Sequence, residues 1–413
     1  MERIIFTITM AYFVQHNLLS PCQHGFLKGT SLETAMLESV TDWSISIHCG
    51  HSVDVIYIDF QKAFDSVDHE KLIQKLEAYG ITGHLLAWIK AFLTDRDQRV
   101  NVKGTLSQSK RVISGVPQGS ILGPLLFVVF LNDVSEVING VCVKMYADDV
   151  KLYADIDCSD SRTKLQEALN SLSQWSKTWQ LTMSVPKCHV ITLSNTRNPS
   201  DHHYLLNNLP LSRVKTVRDL GILVDTKLSF SDHYSALTVR ACQRMNLLFR
   251  SICYADLESF VMAYKSYVRS ILECATTVWS PSTDQDITKL ESVQRQFTFR
   301  LLRKFNFPYM PYEMRCKVCA LESLQFRRLR FDTIMTFKIM RGLINLKENQ
   351  FFQRDRSGVN IRPFLGQNKL KNAFHCRAVN VYNKIPCHIR ETFSLNRFLL
   401  YLKSEGFTSL LLI

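Results

Sequence analysis

Two stretches decide how this chain folds: Val53-Asp-Val-Ile-Tyr-Ile-Asp-Phe60 and Met145-Tyr-Ala-Asp-Asp-Val-Lys-Leu-Tyr153. The apolar run Val53–Phe60 is too short and too β-branched for a helix, and it reads as a buried strand. Around the second stretch, Val141–Ala147 and Val150–Ala154 read as two short strands joined across Asp148–Asp149, a hairpin. Asp59 therefore closes a buried strand, and a carboxylate there is unfavourable unless something neutralises it. Asp148 and Asp149, 89 residues after Asp59, repel each other for a related reason. A hard divalent cation, or a pair of them, resolves both problems, because Mg²⁺ takes carboxylate oxygens. Taken alone, Asp148–Asp149 is equally the polar tip of an ordinary turn.

Outward from these strands, Val67–Tyr79 and Leu85–Leu93 have the spacing of amphipathic helices, with Gly80 and Gly83 between them. Gln98–Lys103 and Arg111–Ser114 read as strands. Gly115, Pro117, Gly119 and Gly123 mark a loop that opens an apolar helix over Leu125–Val137. Ser161–Gln180 is predicted helical, and Cys188–Leu193 and Val217–Val224 are predicted strands. From His233 onward helical periodicity takes over, which places a domain boundary near Ser229–Asp232 and a weaker one near Phe305–Pro311.

Charge changes with the pattern. The chain of 413 residues carries a formal +13. Residues 1–239 hold 22 Lys and Arg against 24 Asp and Glu, whereas residues 240–413 hold 28 against 13. A surplus confined to the C-terminal part points to a polyanion bound mainly there. Arg240 and Arg244 lie on one predicted helix, and Arg327, Arg328 and Arg330 on another. Basic helices of this kind neutralise phosphates without reading bases. With 46% hydrophobic and 21% charged residues, a disordered or collagenous chain is excluded. No run reaches the ~18 apolar residues that a spanning helix needs. The twelve scattered cysteines suit free thiols in a reducing, intracellular compartment, and the Cys316/Cys319 pair lacks the matching second pair of a zinc site.

The strings Tyr57-Ile-Asp-Phe-Gln-Lys-Ala-Phe-Asp65, Gly115-Val-Pro-Gln-Gly-Ser120 and Tyr146-Ala-Asp-Asp149, in that order, resemble the palm motifs of reverse transcriptases. The resemblance is closest to the enzymes of non-LTR (LINE-type) retrotransposons. Gln23-His-Gly-Phe26 resembles the fingers motif that precedes the palm, and Leu181–Lys187 and Leu220-Gly-Ile-Leu-Val-Asp225 resemble later motifs, the second a primer grip. The likeness implies an α+β right-hand polymerase with an antiparallel palm sheet. Its parts would be partial fingers (1–50), palm (51–230), a helical thumb (231–305) and a basic helical extension (306–413). It implies RNA-directed DNA synthesis, with an RNA template, a DNA primer and dNTPs as partners, no membrane contact and an oligomeric state left open.

Residue by residue, the likeness implies that Asp59, Asp148 and Asp149 hold two Mg²⁺ (Mn²⁺ as a substitute), together with the backbone carbonyl of Phe60. Phe64 matches the bulky ring under the incoming sugar, selecting 2′-deoxy over 2′-hydroxy. Gln118 and Gly119 match the loop that contacts the nucleotide and template. Lys187 falls near the leaving pyrophosphate as a general acid, Tyr146 near the primer end, and Leu220 and Gly221 in the primer grip. Ser184 and Leu27 depart from the family pattern, which usually carries Asn and Arg there. The basic fingers strands that precede this region in the family have no counterpart before Glu2, which implies an N-terminal truncation. A catalytically inactive, nucleic-acid-binding remnant is the alternative function.

Overall fold

The computed structural model describes residues 1–157, 159–196, 202–252, 254–356, 358–364 and 373–411. Two compact units divide the chain: residues 1–35 with 50–215, and residues 36–49 with 216–413.

The first unit is built on a five-stranded sheet. Its strands are β1 (Val53–Ile58), β2 (Cys142–Tyr146), β3 (Asp149–Asp155), β4 (His189–Leu193) and β5 (Ser212–Arg213), in the order β5-β4-β1-β3-β2. All pairings are antiparallel except the two-residue edge β5, which runs parallel to β4. Strand β1 is central and nearly all buried, which explains its almost unbroken apolar sequence. A two-residue turn, Ala147–Asp148, joins β2 to β3, and Ala147 adopts φ 54° there. The helix predicted from Leu125 forms over Gly123–Leu131, where every residue but Pro124 is buried, and continues as a 3₁₀ turn, Asn132–Ser135. It joins Ile56, Ile58, Leu152 and Val190 of the sheet and Leu165, Leu169 and Leu172 of the helix Ser159–Trp179 in one core.

Burial in this unit includes charge. Asp54, at 0% exposure, accepts hydrogen bonds from Thr192 Oγ1 (2.5 Å), Tyr204 Oη (2.9 Å) and Arg213 Nη1 (3.0 Å). Lys75 is also buried; it pairs with Asp133 at 2.5 Å and lies over the rings of Phe130, Trp175 and Trp179. Desolvation lowers its pKa to about 8, the Asp133 carboxylate opposing that fall.

The second unit is mostly helical, with Ser231–Ser251 and Asp284–Lys304 its longest helices at 21 residues each. The division between units falls at Lys215–Thr216, earlier than the expected Ser229–Asp232. The reason is local bonding. Thr216 Oγ1 bonds to Asp232 Oδ2 at 3.3 Å, the Leu223 N–H to His233 Nδ1 at 3.3 Å, and the Phe230 N–H to Asp225 Oδ2 at 2.7 Å, so the segment before the helix belongs with it. That segment is not the single strand expected over Val217–Val224. It is a hairpin, Thr216–Asp219 with Ile222–Asp225, turned at Leu220 (φ 45°) and Gly221 (φ 88°). Residues on both sides of Phe305–Pro311 fall in the second unit. No helix among the described residues is long and apolar enough to cross a membrane.

Candidate active site

Asp59 is the first residue past β1. The β1–β3 register ends at Ile58↔Val150, so continuing it by one step sets Asp59 opposite Asp149, next to the turn residue Asp148. Its backbone is fixed from the far side: the Ser184 N–H donates to Asp59 O at 2.8 Å, and the Asp59 N–H to Cys188 Sγ at 3.4 Å. Burial pushes that thiol up to about 11, so it stays neutral against the carboxylate. Asp59 Oδ1 has no hydrogen-bond donor; the cation beside it is Lys187 Nζ, 3.4 Å away. Asp148 lies close enough for the two carboxylates to interact. Its pKa is raised, chiefly by burial and further by the charge of Asp59.

Asp149 behaves differently. It starts β3 opposite Tyr146 and is exposed. Among the described residues no three His, Cys, Asp or Glu side chains form a ready metal cluster. Of the three expected carboxylates, Asp59 and Asp148 interact, and Asp149 follows Asp148 directly at the start of β3. The Asp59–Asp148 pair, with an oxygen lacking any donor, fits a divalent cation: hard oxygen ligands, excess negative charge and few competing hydrogen bonds.

Several of the other expected residues lie in the same unit. Phe64 stacks on Phe127 with ring centroids 4.0 Å apart and meets Phe26 edge-on at 6.0 Å, a half-buried aromatic floor. Gln118 is exposed and donates from Nε2 to Asp65 Oδ1 at 2.8 Å. The loop under it is sewn to the Phe64 turn by Val116 N–H to Phe64 O (2.9 Å) and Gly115 N–H to Val67 O (2.8 Å). Gly115 has φ 89°, and a Cβ on it would lie 2.8 Å from the Asp65 Cα, so the approach requires glycine. Gly119 has φ 82° in an open turn. Beside this loop an open groove of about 560 Å³ is lined by Lys62, Asp65, Arg96, Arg111, Ile113 and Gln118. Tyr146 is half-buried at the hairpin, whereas the Phe60 ring is 4% exposed and packs edge-on to Trp175.

In the second unit, Leu220 and Gly221 form the tip of the hairpin described above. Arg240 and Arg244 are exposed on the helix Ser231–Ser251 and enter no ion pair among the described residues. The arginines of the 327–330 cluster correct the expectation of a basic outer face. Arg327 pairs with Glu273 and Glu322, Arg330 pairs with Glu322, and Arg328 is 2% exposed with its pKa lowered by desolvation. Arg327 ties its helix to Glu273, and all three present little to a phosphate. Cys316 and Cys319 are buried free thiols.

Sequence reasoning did not give a role to Gln23, whose amide bonds the turn that carries Asp148. Its place in the Gln23–Phe26 motif was the available signal.

A strand-end carboxylate interacting with a hairpin carboxylate, in a unit that also holds an aromatic stack and a glycine-bearing loop, is an arrangement that could hold a divalent cation. The chain belongs to the reverse transcriptase (RNA-dependent DNA polymerase) family, whose profile matches residues 2–224. It is 31% identical over 273 residues to "Probable RNA-directed DNA polymerase from transposon BS" of Drosophila melanogaster, covering 60% of this chain and 28% of that protein. It is 30% identical over 256 residues to "RNA-directed DNA polymerase from mobile element jockey" of the same fly, covering 59% and 28%. The chain thus spans under a third of the length of these relatives. Among solved structures, apo telomerase from Candida tropicalis aligns with a TM-score of 0.41 at 10% identity, over 80% of this chain and 53% of that one. The family assignment rests on the sequence match.

Proposed function

We propose that this chain is the polymerase portion of a LINE-type element, extending a DNA primer with dNTPs on an RNA template and also on DNA. The observation that carries the reading is the pairing of Asp59 with Asp148, brought together from a strand end and a turn 89 residues apart. Asp59, Asp148 and Asp149 would hold two Mg²⁺. Bound there, the ions supply charge stabilisation for an attacking 3′-oxygen and a departing pyrophosphate. The protein's own part is positioning. Phe64, braced by Phe127, sets the floor on which the sugar rests, so a 2′-hydroxyl clashes. Gln118, tethered to Asp65, lines the groove by which nucleotide and template approach. Lys187, already beside Asp59, stands where a proton can be delivered to the leaving phosphate. Arg240 and Arg244 contact the duplex backbone, and the Leu220–Gly221 turn grips the primer.

The inactive-remnant reading draws on two observations: Lys187 lies 3.4 Å from Asp59, and no three-ligand cluster exists among the described residues. Primer extension on poly(rA)–oligo(dT) with Mg²⁺ or Mn²⁺ separates the two. Metal-dependent dNTP incorporation supports the polymerase; duplex binding without incorporation under either metal supports the remnant.

A further inference from the structure

The turn that carries Asp148 is gripped from outside the sheet. Residues Cys22–His24 run parallel to the edge strand β2, with the His24 N–H donating to Met145 O (2.8 Å) and the Met145 N–H to Cys22 O (2.9 Å). Beyond Met145 the backbone pairing stops and the Gln23 side chain takes it over. Its Oε1 accepts from the Ala147 N–H at 2.9 Å and the Gly25 N–H at 2.7 Å, and its Nε2 donates to Ala147 O at 3.3 Å. The Gln23 side chain is 3% exposed, so these bonds have little competition from water. Both polar groups of Ala147 are thereby held by one amide.

This matters because Ala147 is the left-handed residue of the turn, φ 54°. An L-residue there costs about 1–2 kcal/mol, and such a conformation persists only where its surroundings over-determine it. Gly25 completes the arrangement: a Cβ on it would stand 2.3 Å from the Ala147 nitrogen, so only glycine lets the segment approach. The next residue, Phe26, carries its ring to the edge of Phe64. One short segment thus touches both the Asp148 turn and the aromatic floor.

We propose that Gln23 is a positioning residue for the metal-binding carboxylate. Its amide locks Ala147 in the left-handed conformation and so fixes the direction in which Asp148 faces Asp59, with Gly25 allowing the contact. The proposal deepens the polymerase reading and rests on it for the metal.

Two measurements on the full chain, without primer or nucleotide, test it. The first is amide hydrogen exchange of residues 142–150 in wild type and Gln23→Met, a substitution of similar length that makes no amide bonds. Exchange at Ala147 should quicken at least ~10-fold while β1 stays protected. The second is Mn²⁺ titration followed by the free-ion resonance signal. Gln23→Met and Gly25→Ala should weaken Asp148-dependent binding by ~10–100-fold, in protein whose circular dichroism matches wild type. A merely structural glutamine would lower the melting temperature and leave the Mn²⁺ affinity of folded protein unchanged. Unchanged exchange at Ala147, or unchanged Mn²⁺ affinity in folded Gln23→Met and Gly25→Ala, overturns the proposal. If wild type itself binds no Mn²⁺ through Asp148, the polymerase reading fails instead, and the exchange experiment still decides the clamp.

Discussion

The two ends of strand β1 carry one aspartate each, five residues apart, and their environments are opposite. At the Asp54 end a fully buried carboxylate receives donors from Thr192, Tyr204 and Arg213. At the Asp59 end the carboxylate is 39% exposed, one oxygen has no donor, and a second carboxylate adds repulsion. A buried charge that is fully bonded is a structural device. A charge left short of partners beside another of the same sign is poised for something that arrives from outside. Sequence alone gives both residues the same description, Asp on an apolar strand.

The largest expected effect divides the two ends. Asp59→Asn and Asp148→Asn should lower primer extension by ~10³-fold or more while leaving denaturant midpoints near wild type. Asp54→Ala should do the reverse, lowering stability by about 3–5 kcal/mol in urea titrations, with extension per folded molecule retained. If Asp54→Ala removes extension from protein that remains folded, the contrast collapses. Phe64→Val tests the floor beside the functional end. Removing the ring should raise rNTP incorporation relative to dNTP by ~10-fold or more. An equal ratio in competition assays would reduce Phe64 to a core aromatic stacked on Phe127.

The same contrast between bonded and waiting charge extends to the arginines of the helical unit. Arg240→Gln with Arg244→Gln should flatten the slope of log K against log salt for duplex binding by up to ~0.9 for each phosphate that the two arginines neutralise. Arg327→Gln, Arg328→Gln and Arg330→Gln together should leave that slope alone and lower the melting temperature, because Glu322 then loses both its arginine partners and Glu273 keeps only Arg269. Salt titrations by fluorescence anisotropy, with thermal scans on the same preparations, distinguish these outcomes.

The smallest effect is one of pH. With its pKa raised, Asp148 holds its proton in the folded state at pH values where the unfolded chain has released it. Stability from this group is therefore fully present below its ordinary pKa and is lost as pH rises through the raised one. Asp148→Asn removes the loss. The variant should melt slightly above wild type near neutral pH, by a few degrees at most, and the gap should close in acid. A gap that widens in acid would mean that Asp148 gains a stabilising partner on ionising.

Much of the first unit was legible in the sequence because its signals are local. A short β-branched run between polar segments makes a strand, and glycine and proline mark loop entries. Element bounds differ from expectation by a few residues in most cases, as with His69–Ala78 for Val67–Tyr79. The candidate carboxylates were legible because charge on an apolar strand is conspicuous. The Leu220–Gly221 turn was not, since leucine gives no sign of a left-handed turn. Basic helices in the second unit misled for another reason. Their acidic partners, such as Glu273 for Arg327, come from distant parts of the chain, so composition could not say which arginines are already neutralised.

By itself, then, the sequence determined the strand–turn–strand framework, the motif order that marks the family, and Asp59, Asp148 and Phe64 as candidates. Tertiary structure decided which charges are spent and which remain open. It separated Asp54 from Asp59, turned Arg328 inward, and set the Gln23 amide against the Asp148 turn. The physical reason is one of range. Backbone conformation follows from neighbours a few residues away, whereas the worth of a charge or an amide depends on donors and acceptors that only folding brings within about 3 Å.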